Sequence, residues 1–217
     1  MTLRTDVYEQ LKDRLLTGKL RTGQFVSQRE LADLLGATLN PLREAIRKLE
    51  VEGLINVYAQ RGIQIVEAGP KAINDTYDYR LLLETNAVKL LIARADTETM
   101  AAMAHDVEKS LEALAKSPKD REVRIAALDG DYQFHKDLID FQKNEIISKH
   151  YSLNAARLRL FRASLGEPLQ RLELAAKEHL EILDACRARN GDLAVARLCE
   201  HIQISREHTL GIRSMPN

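Results

Sequence analysis

SQRELADLLGA, residues 27–37, followed at 40–54 by NPLREAIRKLEVEGL, decides the fold of the first third of this chain. Ser27 stands three residues before Glu30, the spacing of a capping box in which each side chain satisfies an orphan backbone N–H of a helix start. The predicted helix runs through Leu31, Leu34 and Leu35 to Gly36. Shortly after, another helix opens with Pro41 in its first turn, where a missing N–H costs little, and it ends at Gly53. Two short helices joined by a tight turn make a helix-turn-helix.

Working outward, Thr5 is placed to cap an earlier helix whose apolar positions Val7, Leu11 and Leu15, with Tyr8, follow helical spacing up to Gly18. RTGQFVSQ, residues 21–28, reads as a turn. Downstream, LINVYA, a QRG turn and IQIVE read as a two-stranded hairpin. A helix, a helix-turn-helix and a hairpin form a winged helix-turn-helix. The pattern alone also suits a small α+β domain with no nucleic-acid role. Charge does not choose between them: the whole chain has a net charge of +0, and residues 1–67 carry ten Lys/Arg against nine Asp/Glu. A DNA-binding reading must therefore rest on local motifs rather than on a basic bulk.

The 217 residues are 45% hydrophobic and 29% charged, the composition of a globular chain. Apolar runs such as LLL at 81–83 and LLIA at 90–93 are soon broken by charges, so no membrane span is expected. MTLRTDVYEQL has no apolar signal core. Cys186 and Cys199 lie in helical sequence far from any CxxC pattern and read as buried small hydrophobes in a reducing cytosol. The expected location is cytoplasmic.

Composition shifts at EAGPKA, residues 67–72. This predicts a winged helix-turn-helix domain over 1–67, a linker over 68–72 and a second domain over 73–217. Six helical segments follow, at about 71–94, 96–116, 120–142, 144–165, 168–189 and 192–211, with breaks at Asp96–Thr97, Ser117–Pro118, Asn144, Gly166–Pro168 and Asn190–Gly191–Asp192. The fold class is mainly α, the second domain being an antiparallel six-helix bundle whose interior can hold a ligand.

Within that bundle, DGDYQFHKDL at 129–138 is anomalous. Leu128, Asp131, His135 and Leu138 share one helical stripe, so two polar residues interrupt an apolar face. The same happens in Leu172, Ala176, His179, Leu183 and Cys186, and again in Ala194, Leu198 and His201. A buried imidazole or carboxylate needs a partner, because leaving it unpaired is costly. One such histidine is ordinarily a hydrogen-bonded core residue. Three with an aspartate are satisfied most simply by a single cation.

The residues also carry a family resemblance. Arg29, Glu30, Leu31, Ala32, Gly36, Pro41, Arg43, Glu44, Ala45, Leu49, Gly53 and Gly62 resemble the DNA-binding domain of the GntR family of bacterial regulators. The resemblance implies that the second helix of the motif enters the major groove. Thr38, Asn40 and Arg43 would then face DNA, Arg29 would contact a phosphate or base, and the turn Gln60–Arg61–Gly62 would approach the minor groove. Where the family usually has Ser/Thr–Arg, this chain has Thr38–Leu39. Leucine cannot read guanine as arginine does, but it can pack on a thymine methyl.

RLLLE at 80–84, DxxxH at 131–135, EHLEILDA at 178–185 and GDLAVARLCEH at 191–201 resemble the FCD effector domain of FadR-type GntR regulators, with six helices as in its VanR-like subgroup. That resemblance implies a divalent metal held by Asp131, His135, His179 and His201. Nitrogen and oxygen ligands suit Zn²⁺ first, with Ni²⁺ or Mn²⁺ as alternatives. His105, His150 and His208 match nothing and read as surface or outer-layer residues. A small carboxylate effector is expected at an open metal position, with Arg80 as its second anchor. Arg80 and Glu84 are also i,i+4 and can simply pair along the helix.

The expected function is a homodimeric transcriptional repressor that binds palindromic half-sites of double-stranded DNA under control of a small organic acid. Two other readings stay open. A metalloenzyme would turn over candidate acids, although no extra general base is obviously placed for it. A direct metal sensor would respond to the cation with no organic ligand present.

Overall fold

The computed structural model describes residues 3–165 and 168–212. Elements follow in the order α1 Leu3–Leu16, β1 Phe25–Val26, α2 Gln28–Leu35, α3 Leu39–Val51, β2 Ile55–Tyr58, β3 Gly62–Ile65, α4 Pro70–Arg94, α5 Thr97–Lys116, α6 Arg121–Asp140, α7 Glu145–Ala163, α8 Leu169–Arg187 and α9 Gly191–Thr209. The chain divides into two compact units. One holds the residues up to Ile73 together with α7 from Leu153 onward; the other holds Asn74–Ser152 with α8 and α9.

In the first unit, the capping box at α2 is formed. Ser27 Oγ accepts from the Glu30 N–H at 3.1 Å, and the Glu30 carboxylate accepts from the Ser27 N–H at 2.7 Å. Thr5 lies inside α1, which runs Leu3–Leu16. The predicted turn 21–28 is also corrected: Phe25–Val26 is a strand, pairing antiparallel with β3 as Phe25↔Gln64 and Val26↔Ile63. The sheet order is β1-β3-β2. A two-residue strand has too few alternations to announce itself, and only its partner completes it. This pairing gives Gly62 a structural reason. Its φ is 96°, and a Cβ there would lie 2.8 Å from the Val26 carbonyl oxygen. Leu11, Leu15, Leu31, Leu42, Leu49, Ile63 and Ile65 close the core beneath α3 and the hairpin.

The linker expected at 68–72 is partly helical, since α4 starts at Pro70, whose fixed φ suits a first helical position. Six helices, α4 to α9, follow among the described residues. Side chains cap the starts of α5, α6 and α9 where breaks were read, while Pro168 at the start of α8 makes no capping bond. Asp96 accepts from Thr99 N–H, Asp120 from Glu122 N–H and Asn190 from Leu193 N–H, at 2.8, 2.8 and 3.1 Å. Gly166 lies outside the described residues. The second half of α7, from Leu153, groups with the first unit.

In the second unit, α8 packs against α5, α6 and α9. The predicted stripes are buried: Leu138, Leu172, Ala176, Leu183, Cys186, Ala194 and Leu198 all face inward, while Leu128 is half-buried against the Leu114–Ala127–Leu172 cluster. Tyr77 ties α4 to α9 through Ser205 Oγ at 2.8 Å and Thr209 Oγ1 at 2.7 Å. Both cysteines are free, Cys186 buried and Cys199 half-buried. Among the described residues, no helix is long and apolar enough to cross a membrane.

Candidate metal centre and DNA-binding surface

Asp131 and His135 are one turn apart on α6, His179 lies mid-way along α8, and His201 lies on α9. The packing of α8 on α6 and α9 brings them together: each residue offers a ligand atom, and these atoms all lie within 4.8 Å of one another. The three imidazoles meet through their Nε2 atoms, at 3.1 Å (His179–His135), 3.3 Å (His179–His201) and 3.1 Å (His201–His135). Asp131 Oδ1 stands 3.6 Å from His179 Nε2. Phe134 stacks on the His179 ring with centroids 3.9 Å apart and fixes its plane.

The outward nitrogens settle the tautomers. His135 Nδ1 faces Glu84 Oε2 at 2.8 Å, and His201 Nδ1 faces Glu178 Oε2 at 2.6 Å. A carboxylate only accepts, so each proton sits on Nδ1 and each Nε2 presents a lone pair. Two such lone pairs, 3.1 Å apart in a buried site, cannot bond each other. A metal cation between them would resolve the conflict, and in this structure the Arg80 guanidinium lies against His135 Nε2 instead. Metal–nitrogen bonds of about 2.0–2.1 Å place neighbouring ligand atoms about 3.0–3.4 Å apart, the spacing seen among the three Nε2 atoms.

Two carboxylates to which the sequence reading gave no role at the cluster organise this centre. Glu178 is gripped by Arg171, with Nη1 to Oε1 at 3.1 Å and Nη2 to Oε2 at 2.9 Å. Glu84 Oε1 accepts from Arg80 Nε at 2.5 Å and from the Tyr151 hydroxyl at 2.7 Å. Signals for them were present: Arg171 and Glu178 are seven residues apart, two turns of one face, and Glu84 interrupts the apolar run of α4. Arg80 makes the helical pair with Glu84 and also reaches the cluster. Its Nη2 lies against His135 Nε2 and 3.5 Å from His201 Nε2.

Electrostatics follow from burial. Burial, and then the neighbouring histidines His201 and His135, hold the His179 pKa well below the ordinary imidazole range. Burial, with His135, Arg80 and Arg171, does the same to His201. Burial opposes the charge of Arg80, but Glu84, helped by Tyr151, Tyr77 and Asp131, more than offsets it and raises its pKa. Burial and Glu84 push Tyr151 well above the usual phenol range. His179 and His201 are therefore held in the neutral form that coordinates.

A cavity of about 150 Å³ adjoins the cluster between α5, α6 and α8, with Asp131 and His179 in its wall. Met103, Val107, Phe134 and Ala176 supply apolar lining, and Asp106 and Asp137 add carboxylates. Burial, with Asp140 and Asp106 adding to it, raises the Asp137 pKa against the opposing bond from Gln133. No Lys or Arg lines this cavity among the described residues. His105 and His150 are exposed and His208 is half-buried, none of them in the cluster.

In the first unit, Thr38, Leu39, Asn40, Arg43, Arg29 and Arg61 are all exposed, and Gly62 sits at the wing turn. Thr38 is the N-cap of α3, yet its side chain makes no capping bond, leaving the helix start open to an anion. Arg43 Nε reaches Gln28 Oε1 at 3.4 Å, so α2 and α3 present one surface. Leu39 is 46% exposed, an apolar side chain at the head of a polar face. Arg47, one turn beyond Arg43 and also exposed, extends this face and was not singled out from sequence.

Residues 3–65 match the model of bacterial regulatory proteins of the gntR family, and residues 75–204 match the FCD domain. The chain belongs to the GntR family, with a C-terminal FCD domain. This GntR regulator is 27% identical to the HTH-type transcriptional regulator YdhC of Bacillus subtilis over 93% of its own length and 88% of the relative's. It is 25% identical to the probable D-xylose utilization operon transcriptional repressor of Paenarthrobacter nicotinovorans, over 92% and 87%. Its fold matches that of McbR/YncC from E. coli with a TM-score of 0.76 at 20% identity, covering 97% of this chain and 98% of the other. The GntR regulator is therefore a DNA-binding transcriptional regulator and not an enzyme.

Proposed function

We propose that this GntR regulator binds one divalent cation through Asp131, His135, His179 and His201, and that a small organic acid at that cation sets its affinity for operator DNA. The observation that carries the reading is the mutual approach of three Nε2 atoms at 3.1–3.3 Å. Zn²⁺ fits the nitrogen-rich set best, with Ni²⁺ or Mn²⁺ as alternatives. When bound, the cation supplies an open coordination position for a carboxylate. Arg80 supplies the second charge for that anion, and the cavity beside Asp131 and His179 takes its apolar body. Asp106 and Asp137 disfavour a second carboxylate there, which favours compact monocarboxylates.

On DNA, α3 would enter the major groove with Thr38, Asn40 and Arg43 at base edges or phosphates, Leu39 against a thymine methyl, Arg29 on the backbone and Arg61–Gly62 at the minor groove. Two copies acting as a cytoplasmic homodimeric repressor would read palindromic half-sites. The test is metal analysis of the purified protein, followed by operator titration with and without Zn²⁺ and a panel of organic acids. Protein free of metal under non-chelating conditions, or operator affinity indifferent to every acid, would overturn it. Direct metal sensing is a second reading. It is favoured by Arg80 Nη2 against His135 Nε2, since a cation must displace it.

Arg43→Ala is expected to weaken operator binding by about 1–3 kcal/mol. A gel-shift titration at fixed salt checks this, and unchanged affinity removes Arg43 from the interface. Arg80→Ala is expected to retain metal but lose most of the thermal stabilisation by acids, which in the wild type grows with ligand concentration. Equal melting shifts in both proteins would leave Arg80 with only its Glu84 pairing.

A further inference from the structure

We infer that Tyr151, through Glu84, transmits the occupancy of the histidine cluster into the second half of α7. The inference rests on the metal reading proposed above. His135 Nε2 has one lone pair, and Arg80 Nη2 now donates to it. The same lone pair cannot also hold a cation, so loading moves the guanidinium. Arg80 Nε is bonded to Glu84 Oε1, the oxygen that also accepts from the Tyr151 hydroxyl at 2.7 Å. The other oxygen of Glu84 holds His135 Nδ1. One buried carboxylate thus joins the arginine, the imidazole and α7, and none can shift without changing the bond to Tyr151. Tyr151 is 2% exposed, so its hydroxyl is shielded from bulk solvent.

Two residues beyond Tyr151, α7 passes into the first unit. There Ser164 Oγ, just past the helix end, pairs with Thr22 Oγ1 at 3.1 Å. The Ala163 carbonyl oxygen lies so near Gly18 that a Cβ on that glycine would be 2.8 Å away. The Arg157 side chain covers Gly53, in the short turn between α3 and β2. A change in the set of α7 is therefore felt at the ends of α1 and α3. This gives the two states of the cluster the differential contact that coupling requires. Tyr151 is a positioning residue here, touching neither cation nor DNA.

The test uses full-length protein, wild type and Tyr151→Phe, each stripped with chelator and then loaded with Zn²⁺ alone. Metal stoichiometry, amide hydrogen exchange over 153–163 and operator affinity are measured on both. The expected result is equal Zn²⁺ stoichiometry in the two proteins. Wild type shows a several-fold change in exchange at 153–163 and a change in operator affinity on loading, and Tyr151→Phe shows neither. A merely structural tyrosine would alter stability but leave the Zn²⁺-dependent difference in place. Retention of that difference in Tyr151→Phe overturns the inference, as does wild type that binds Zn²⁺ with no change at 153–163. Wild type that binds no Zn²⁺ overturns the metal reading and the relay with it, and stoichiometry alone identifies that outcome.

Discussion

Replacing His179 and His201 together by Ala is expected to yield protein that purifies without stoichiometric metal and shows no thermal shift when Zn²⁺ is added. Two of three converging nitrogens are removed, and His135 with Asp131 leaves only two of the four ligands. Each single variant should lose more affinity than the roughly 10–100-fold that follows loss of an outer partner. Metal analysis after desalting is the measurement, and full stoichiometry in the double variant would falsify the four-residue site. Acid should act in the same direction. His179 and His201 are held well below their ordinary pKa, so the unfolded chain binds protons that the folded one does not. Their contribution is complete above the unfolded value of about 6.5 and is lost as pH falls below it toward the folded values. Metal and stability should therefore decline together below about pH 6.5. A melting temperature flat from neutral pH down into the acid range would contradict the assignment.

Arg171→Met is expected to destabilise the second unit by about 3–5 kcal/mol, the cost of stranding one partner of a buried pair. Arg171 is 1% exposed and spans both oxygens of Glu178, whose side chain is 13% exposed. Without the guanidinium, Glu178 keeps a charge with little water around it. His201 then loses a fixed acceptor for its Nδ1–H, which should lower metal affinity about 10–100-fold. Arg171→Met with Glu178→Gln should recover much of the stability, because replacing a buried pair is cheaper than breaking it. Urea denaturation of the three proteins measures this. A loss below about 1 kcal/mol for Arg171→Met would mean the pair is worth no more than a surface ion pair.

Much of this regulator was legible from local pattern. Ser27–Glu30 predicted a cap that forms, QRG predicted a hairpin that forms, and the polar interruptions at Asp131, His135, His179 and His201 predicted side chains that meet. These features depend on residues close in sequence, or on which face of a helix a residue occupies, and helical period alone decides the face. Three things were decided only by tertiary structure. Phe25–Val26 is a strand because β3 pairs with it. Glu84 and Glu178 hold particular imidazoles because the axial register of α4 against α6, and of α8 against α9, sets those heights. The second half of α7 groups with the first unit, and its buried Leu158, Leu160 and Phe161 do not by themselves announce which unit they join. An amphipathic stripe specifies that a face is buried, not against what. The partner is chosen by packing, which couples residues far apart in sequence through shape that no single segment contains.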